Sequence, residues 1–279
     1  MRRERDIASG AGLALCVRCF MNRPLHAGLT ARPYSTVASL QDARHTVQSD
    51  HAHQDGHPQR SRPLMRKYEV SYLAPSGEEL SVSRIAPATA LFEAPFMGFA
   101  RGTLIATPEG PVAVEDIYPG MPVSTGDHGP RTVLWRGSTT IVPNAAGQSE
   151  QSGRLTRIPA DAMGLQRPSH DLLLGHGARV FRANRGHMVP AADLIDGETA
   201  IPVTPPSPVH VFHLLLERHS CIKACGVEVE SFHPGATLGL LVQRELRGLY
   251  LSLFPHMSGL DGFGPVKIPR IDEEEAGAA

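Results

Sequence analysis

Cysteine is scarce in this 279-residue chain, and the four present, Cys16, Cys19, Cys221 and Cys225, are too few to staple a small secreted domain. A reducing cytoplasm is therefore the default expectation, with secretion lacking a classical signal peptide as the alternative. The start carries Arg2, Arg3 and Arg5, but Asp6 and Arg18 interrupt the weakly apolar stretch that follows, and no small-residue cleavage site stands out. Long apolar runs are also missing. Leu238 to Val242 ends at Gln243, Arg244 and Glu245, well short of the roughly 18 to 20 residues that cross a bilayer, so no membrane-embedded partner is expected. Neither sign of charge is in excess, with 27 Lys and Arg against 28 Asp and Glu, which argues against nucleic acid as a partner. There is no P-loop, no dinucleotide fingerprint, no Gly-x-Ser-x-Gly elbow and no His-Glu-x-x-His, so no cofactor is expected and conventional enzyme classes find no foothold.

Aromatics make up only 5% of the chain, while glycine (27) and proline (24) are plentiful, a balance that favours many short strands joined by tight turns. Residues 1–64 are polar, without periodicity, and read as a disordered leader. Order starts abruptly after it, where Tyr68, Val70 and Tyr72 alternate with polar residues before a Pro75-Ser76-Gly77 turn. Met65 is accordingly a candidate true start, and the mass of the protein from its native host tests that. Residues 65–95 form an N-terminal β extension. Further strands are expected at 104–107, 112–117, 133–135, 155–158, 171–174, 179–181, 201–203, 209–216 and 220–229. One long helix is expected over Ala236 to Phe254, with Leu238, Val242, Leu246, Leu249 and Leu253 on one face. It belongs to a C-terminal helix and tail, 236–279, ending in the charged Glu273 to Glu275. A faint repeat, Val114 to Gly120 against Ala191 to Gly197, suggests two related β units.

The stretch Phe99 to Gly110, with Val112 to Ile117 and Pro119-Gly120, resembles the opening block of the bacterial Hint (hedgehog/intein) domain family. Pro168 to Leu174 through Val189 to Leu194 resembles its central block, and His213 to His219 with Glu230-Ser231-Phe232 its closing block. The resemblance covers 96–235. It implies an all-β horseshoe of short strands, whose first and last blocks meet at one site, followed by one C-terminal helix. Self-processing members carry a Cys, Ser or Thr just before the Phe-x-x-Gly-Thr stretch, to attack the preceding carbonyl. Here that position is Gly98, which has no nucleophile. The resemblance places the family's polarising histidine at His170, whose other reading is a structural turn histidine. Substitute nucleophiles would be Thr103 or Cys221. Glu230-Ser231 stands where splicing inteins end in His-Asn, so splicing is not expected.

Two metal readings accompany this. His213, His219, Cys221, Cys225 and His233 crowd together, with His219, Cys221 and Cys225 the nearest to a zinc set, although no paired ligand spacing is present. Cys16 and Cys19 supply only half a site, and the tract His45, His51, His53 and His57 is weakly His-rich and could capture a divalent metal non-specifically. The sequence thus implies a Hint fold with a degenerate active site, acting as a binding or scaffold module for an unknown protein partner. The alternative is an autoprocessing, self-cleaving domain that uses a substitute nucleophile.

Overall fold

The computed structural model describes residues 64–126, 129–236, 238–241 and 244–271. The expected leader disorder, the histidine tract, Cys16, Cys19 and the acidic tail lie outside the described residues. The extension is a hairpin of β1 (Met65–Leu73) and β2 (Glu79–Pro87), followed by a one-turn helix, α1 (Ala90–Glu93). Tyr68 and Val70 face inward from β1, as their alternation with polar residues dictates.

The next strands are β3 (Phe99–Ala100), β4 (Leu104–Thr107), β5 (Gly110–Ala113), β6 (Pro122–Ser124), β7 (Pro130–Ile141), β8 (Leu155–Ile158) and β9 (Leu172–Leu174). They are followed by β10 (Arg179–Arg182), β11 (His187–Pro190), β12 (Ile201–Val203), β13 (Val209–Leu216), β14 (Cys221–Ala224) and β15 (Val227–Glu230). The fold is mainly β, as the composition implied. A larger sheet runs β12-β8-β9-β3-β13-β7-β1-β2, with β6 paired to β7, and a second runs β11-β10-β15-β14-β4-β5.

Two expected strands are corrected. The segment 112–117 leaves the sheet after Ala113, and Val114–Asp116 is a turn of 3-10 helix that buries Val114. The segment 220–229 is a hairpin, because Cys225 and Gly226 both take left-handed backbone angles (φ 48° and 83°) between the paired Ala224 and Val227. Periodicity alone could not locate that turn, since a buried cysteine reads as a strand residue.

The repeat has a structural counterpart. Hairpin β4–β5, the 3-10 turn Val114–Asp116, β6 and β7 are matched in order by hairpin β10–β11, the 3-10 turn Ala191–Leu194, β12 and β13. The two hairpins flank the second sheet on opposite sides, while β3 pairs with β9 and β7 with β13 across the halves.

One core lies between the two sheets and is built on Phe99, Ile105, Ile117, Val133, Leu174, Val180, Leu214, Ile222 and Val229. A second joins both ends of the described chain: Tyr68, Phe92 and Phe96 meet Trp135, Leu215 and Phe232, and then Tyr250, Leu253, Phe254 and Phe263. Trp135 stacks on Phe254 at 4.9 Å between ring centroids and donates its Nε1–H to the Leu253 carbonyl at 2.8 Å. The expected helix is described over α2 (Leu238–Leu241) and α3 (Arg244–Leu251), and it ends at Leu251, short of the expected Phe254. After Leu251 the chain tightens into i→i+3 bonds, from Leu253 N–H to Tyr250 and from Phe254 N–H to Leu251, and Pro255 forbids a further helical turn. Leu253 and Phe254 are therefore buried from a turn and not from a helix face.

Candidate functional site

The Met97-Gly98 bond is where the opening block would be attacked in a self-processing chain. Both residues are buried, and each of their four backbone polar groups is bonded. Met97 N–H donates to Glu93 O (3.1 Å) and Gly98 N–H to Phe212 O (3.1 Å). The Met97 carbonyl accepts from Gly177 N–H (2.9 Å) and the Gly98 carbonyl from Gly175 N–H (2.8 Å). These bonds continue the β3 ladders to β13 and β9, so the first and closing blocks do meet here.

Gly98 sits where no side chain fits. A Cβ built on it would lie 2.7 Å from Cγ of His213 and 2.7 Å from the Phe212 carbonyl oxygen. The His213 imidazole takes the space that a side chain at 98 would need. It is wedged edge-on between Phe99 and Phe232, at 5.7 and 5.5 Å between centroids, accepts the Leu214 N–H on Nδ1 and bonds the Gly177 backbone. Burial pushes this imidazole down to about 4, so it is neutral near pH 7.

A buried acid stands beside the same bond. Glu93, one helical turn before Met97, takes Arg66 Nε on Oε1 (3.0 Å) and the Ser152 hydroxyl on Oε2, with His176 Nε2 3.5 Å from Oε2. Burial would raise its pKa, but the nearby His176 imidazole, the Ser152 hydroxyl bond and the charge of Arg66 outweigh that and hold the carboxyl below its usual range. These contacts tie β1, α1 and the 175–178 segment together.

A second buried network closes the domain. Glu230 receives His219 Nε2–H (2.7 Å) and Arg270 Nε (2.8 Å) on Oε1, and His219 Nδ1 accepts the Lys267 N–H (3.0 Å). Arg270 also reaches the His233 carbonyl (2.7 Å), and His233 bonds the Gly264 carbonyl (3.0 Å). Burial works to raise the pKa of Glu230, but His219 and Arg270 overcome it and hold the carboxyl at about 2. The segment 264–270 is thereby latched to the closing block.

The residues singled out from the sequence are not gathered at Gly98, His213 excepted. His170 is exposed, with its Nδ1 3.1 Å from the Ser169 hydroxyl. It precedes Leu174, the ladder partner of Phe99, by about 13 Å of extended chain. The segment lying against Met97 is Gly175 to Gly177, and its glycines permit the approach: a Cβ on either would come within 2.5 Å of a carbonyl oxygen, Met97 or Ala94. Thr103 is buried and donates its hydroxyl to Ala100 O (2.7 Å). Cys221 is buried on β14 opposite Glu230. Cys225 is at the far end of that hairpin, and burial pushes its thiol up. His219 spends both ring nitrogens on Glu230 and Lys267, and no group of three or more metal-type ligands is assembled among the described residues. Sequence reading passed over Glu93, Arg66 and His176. A lone carboxylate in the apolar run Leu91 to Phe96 was the available signal, since a buried charge requires partners.

No described helix is long and apolar enough to cross a membrane. No curated protein matches the chain. Among solved structures, the chain is similar to a bacterial intein-like domain from Clostridium thermocellum (17% identity, 49% of this chain and 99% of that chain, TM-score 0.35). It is also similar to the MchDnaB-1 intein (14% identity, 48% and 99% covered, TM-score 0.34). The family model for the Hint domain matches residues 97–236, spanning the opening, central and closing blocks and every strand from β3 to β15, and the chain belongs to the Hint domain family.

Proposed function

We propose that this Hint domain does not cleave itself and serves as a scaffold that holds its two flanks together and offers them to a protein partner. The observation that carries this reading is the occupancy at Gly98: the nucleophile is absent and the His213 ring fills its place. Acyl transfer needs an attacking side chain within reach of the Met97 carbonyl and a base within hydrogen-bond reach of that side chain. His213 is neutral but committed to Gly177 and Leu214, and the substitute candidates Thr103 and Cys221 are buried elsewhere.

The flanks support the same reading. A self-cleaving domain must release what precedes or follows it. Here β1 pairs with β7 in the larger sheet, and residues 250–263 share a core with Tyr68 and Trp135, so neither flank could leave without opening the core. A cytoplasmic setting, or export without a classical signal, fits the scarcity of cysteine equally.

Hydroxylamine tests the proposal, because it captures any ester or thioester formed at Met97. The expected result is an intact chain after prolonged incubation. A hydroxamate on Met97 would establish the rival reading, self-cleavage through a substitute nucleophile.

A further inference from the structure

We infer that the outer edge of β2 is a homodimer interface, at which two copies of this chain pair antiparallel about a two-fold axis through Val82. Among the described residues β2 ends the larger sheet, and its nine residues pair in unbroken register with β1 alone. The direction of each backbone group follows from that register. Ala88 N–H bonds Leu64 O and Ala74 N–H bonds Glu78 O, so the even-numbered residues point their amides at β1. Glu79, Ser81, Ser83 and Ile85 therefore point theirs outward, and no N–H of these four has a partner among the described residues. The Ser83 carbonyl is engaged only by the exposed guanidinium of Arg84 next to it (3.0 Å).

Such an edge recruits another strand unless it is blunted by charged side chains, lysine above all, by proline or by a bulge. β2 has no lysine and no bulge, its only proline is its last residue, and its two charged residues, Glu79 and Arg84, are of opposite sign. It does expose Ile85 (66%) and Leu80 (38%).

The occupant is identified by the strand's own symmetry. Antiparallel pairing joins outward residues to outward residues, and a two-fold at Val82 is the one centre that pairs all four with one another: Glu79 with Ile85, and Ser81 with Ser83, in both directions. A centre one residue later sets Glu79 against Pro87, which has no N–H to give. The chosen centre extends the Ser71–Ser81 hydroxyl contact (2.9 Å) into a row that continues to Ser83 of the second copy. It sets Val82 against Val82, lays Leu80 along the stem of Arg84, and leaves Arg84 diagonal to the opposite copy's Glu78, within reach of a long side chain. No like charges are opposed.

The full chain should sediment at twice its 30.0 kDa mass at high concentration and dissociate on dilution. S83P removes an outward N–H that makes no internal bond, so it should return the monomer while its thermal unfolding stays close to that of the parent. V82C places two thiols at a non-hydrogen-bonded antiparallel pair, about 4.5 Å between Cα atoms, within disulfide reach. Mild oxidation should give a covalent dimer through that residue by peptide mapping, and L80C, set opposite Arg84, should not. A monomer at about 100 μM, roughly 5.5 kcal/mol of association, overturns the inference. So does a dimer that survives S83P, or crosslinking through L80C in place of V82C. Should S83P fail to fold, the V82C and L80C pair decides alone.

Discussion

Introducing the family's missing nucleophile, G98C, should damage the fold without restoring cleavage. The new Cβ would stand 2.7 Å from both His213 Cγ and the Phe212 oxygen, against ordinary contacts of about 3.5 to 4.0 Å, so the two sides must part by about 1 Å. One side is backbone in a ladder, and the other is a ring held by Phe99, Phe232 and Gly177. Overpacking of this kind costs about 1–3 kcal/mol. If the ring swings aside, its lost hydrogen bond adds about 1 kcal/mol. The expected destabilisation of about 2–4 kcal/mol lowers Tm by roughly 5–15 °C for a domain of this size. Urea unfolding followed by Trp135 fluorescence measures it, since the chain's one tryptophan is fully buried. G98A should lose nearly as much, because Cβ is the offending atom. Removing the imidazole in a G98A/H213A double variant should recover about 1 kcal/mol or more relative to additivity, the backbone clash remaining. A G98C protein as stable as its parent, or one that breaks after Met97 in dithiothreitol, would refute the reasoning.

Stability should fall in acid earlier than carboxylates alone would cause. His213 and His233 are held by burial at about 4, against 6.5 unfolded, so the unfolded chain binds their protons first. Their contribution is intact above pH 6.5 and lost as pH falls towards 4, at roughly 2–3 kcal/mol per pH unit for the pair; a urea midpoint flat from pH 7 to 5 would contradict this. E230Q leaves Arg270 buried without its anion and should cost about 3–5 kcal/mol in urea unfolding. H170A, on the surface, should stay within about 0.5 kcal/mol of the parent by the same assay.

Much of the fold was legible in the sequence because short apolar runs bounded by Gly or Pro mark strands whether one face or both are buried: 104–107, 155–158, 201–203 and 209–216 form strands at those limits. Where a local turn overrode the pattern, at Cys225-Gly226 and after Leu251, reading by period failed. The long helix misled because Leu253 continues the apolar stripe while Pro255 ends the helix behind it. At the site, the empty nucleophile position was visible as Gly98, but its cause was not. His213 is one of six successive buried residues in β13, and only the β3–β13 register shows that its ring meets Gly98. His170 looked well placed because a histidine after a Pro-Ser turn matches by order, whereas the ladder sets Gly175 to Gly177 against Met97. Glu93, Arg66 and Arg270 belong to networks between distant segments, which spacing does not encode.

The most direct test of the central claim is the intact mass of the native protein, held for days across pH 6 to 9 with no added nucleophile. A single uncut species throughout is the result expected of a Hint scaffold whose attack position is filled by His213, whereas fragments divided between Met97 and Gly98 would contradict it.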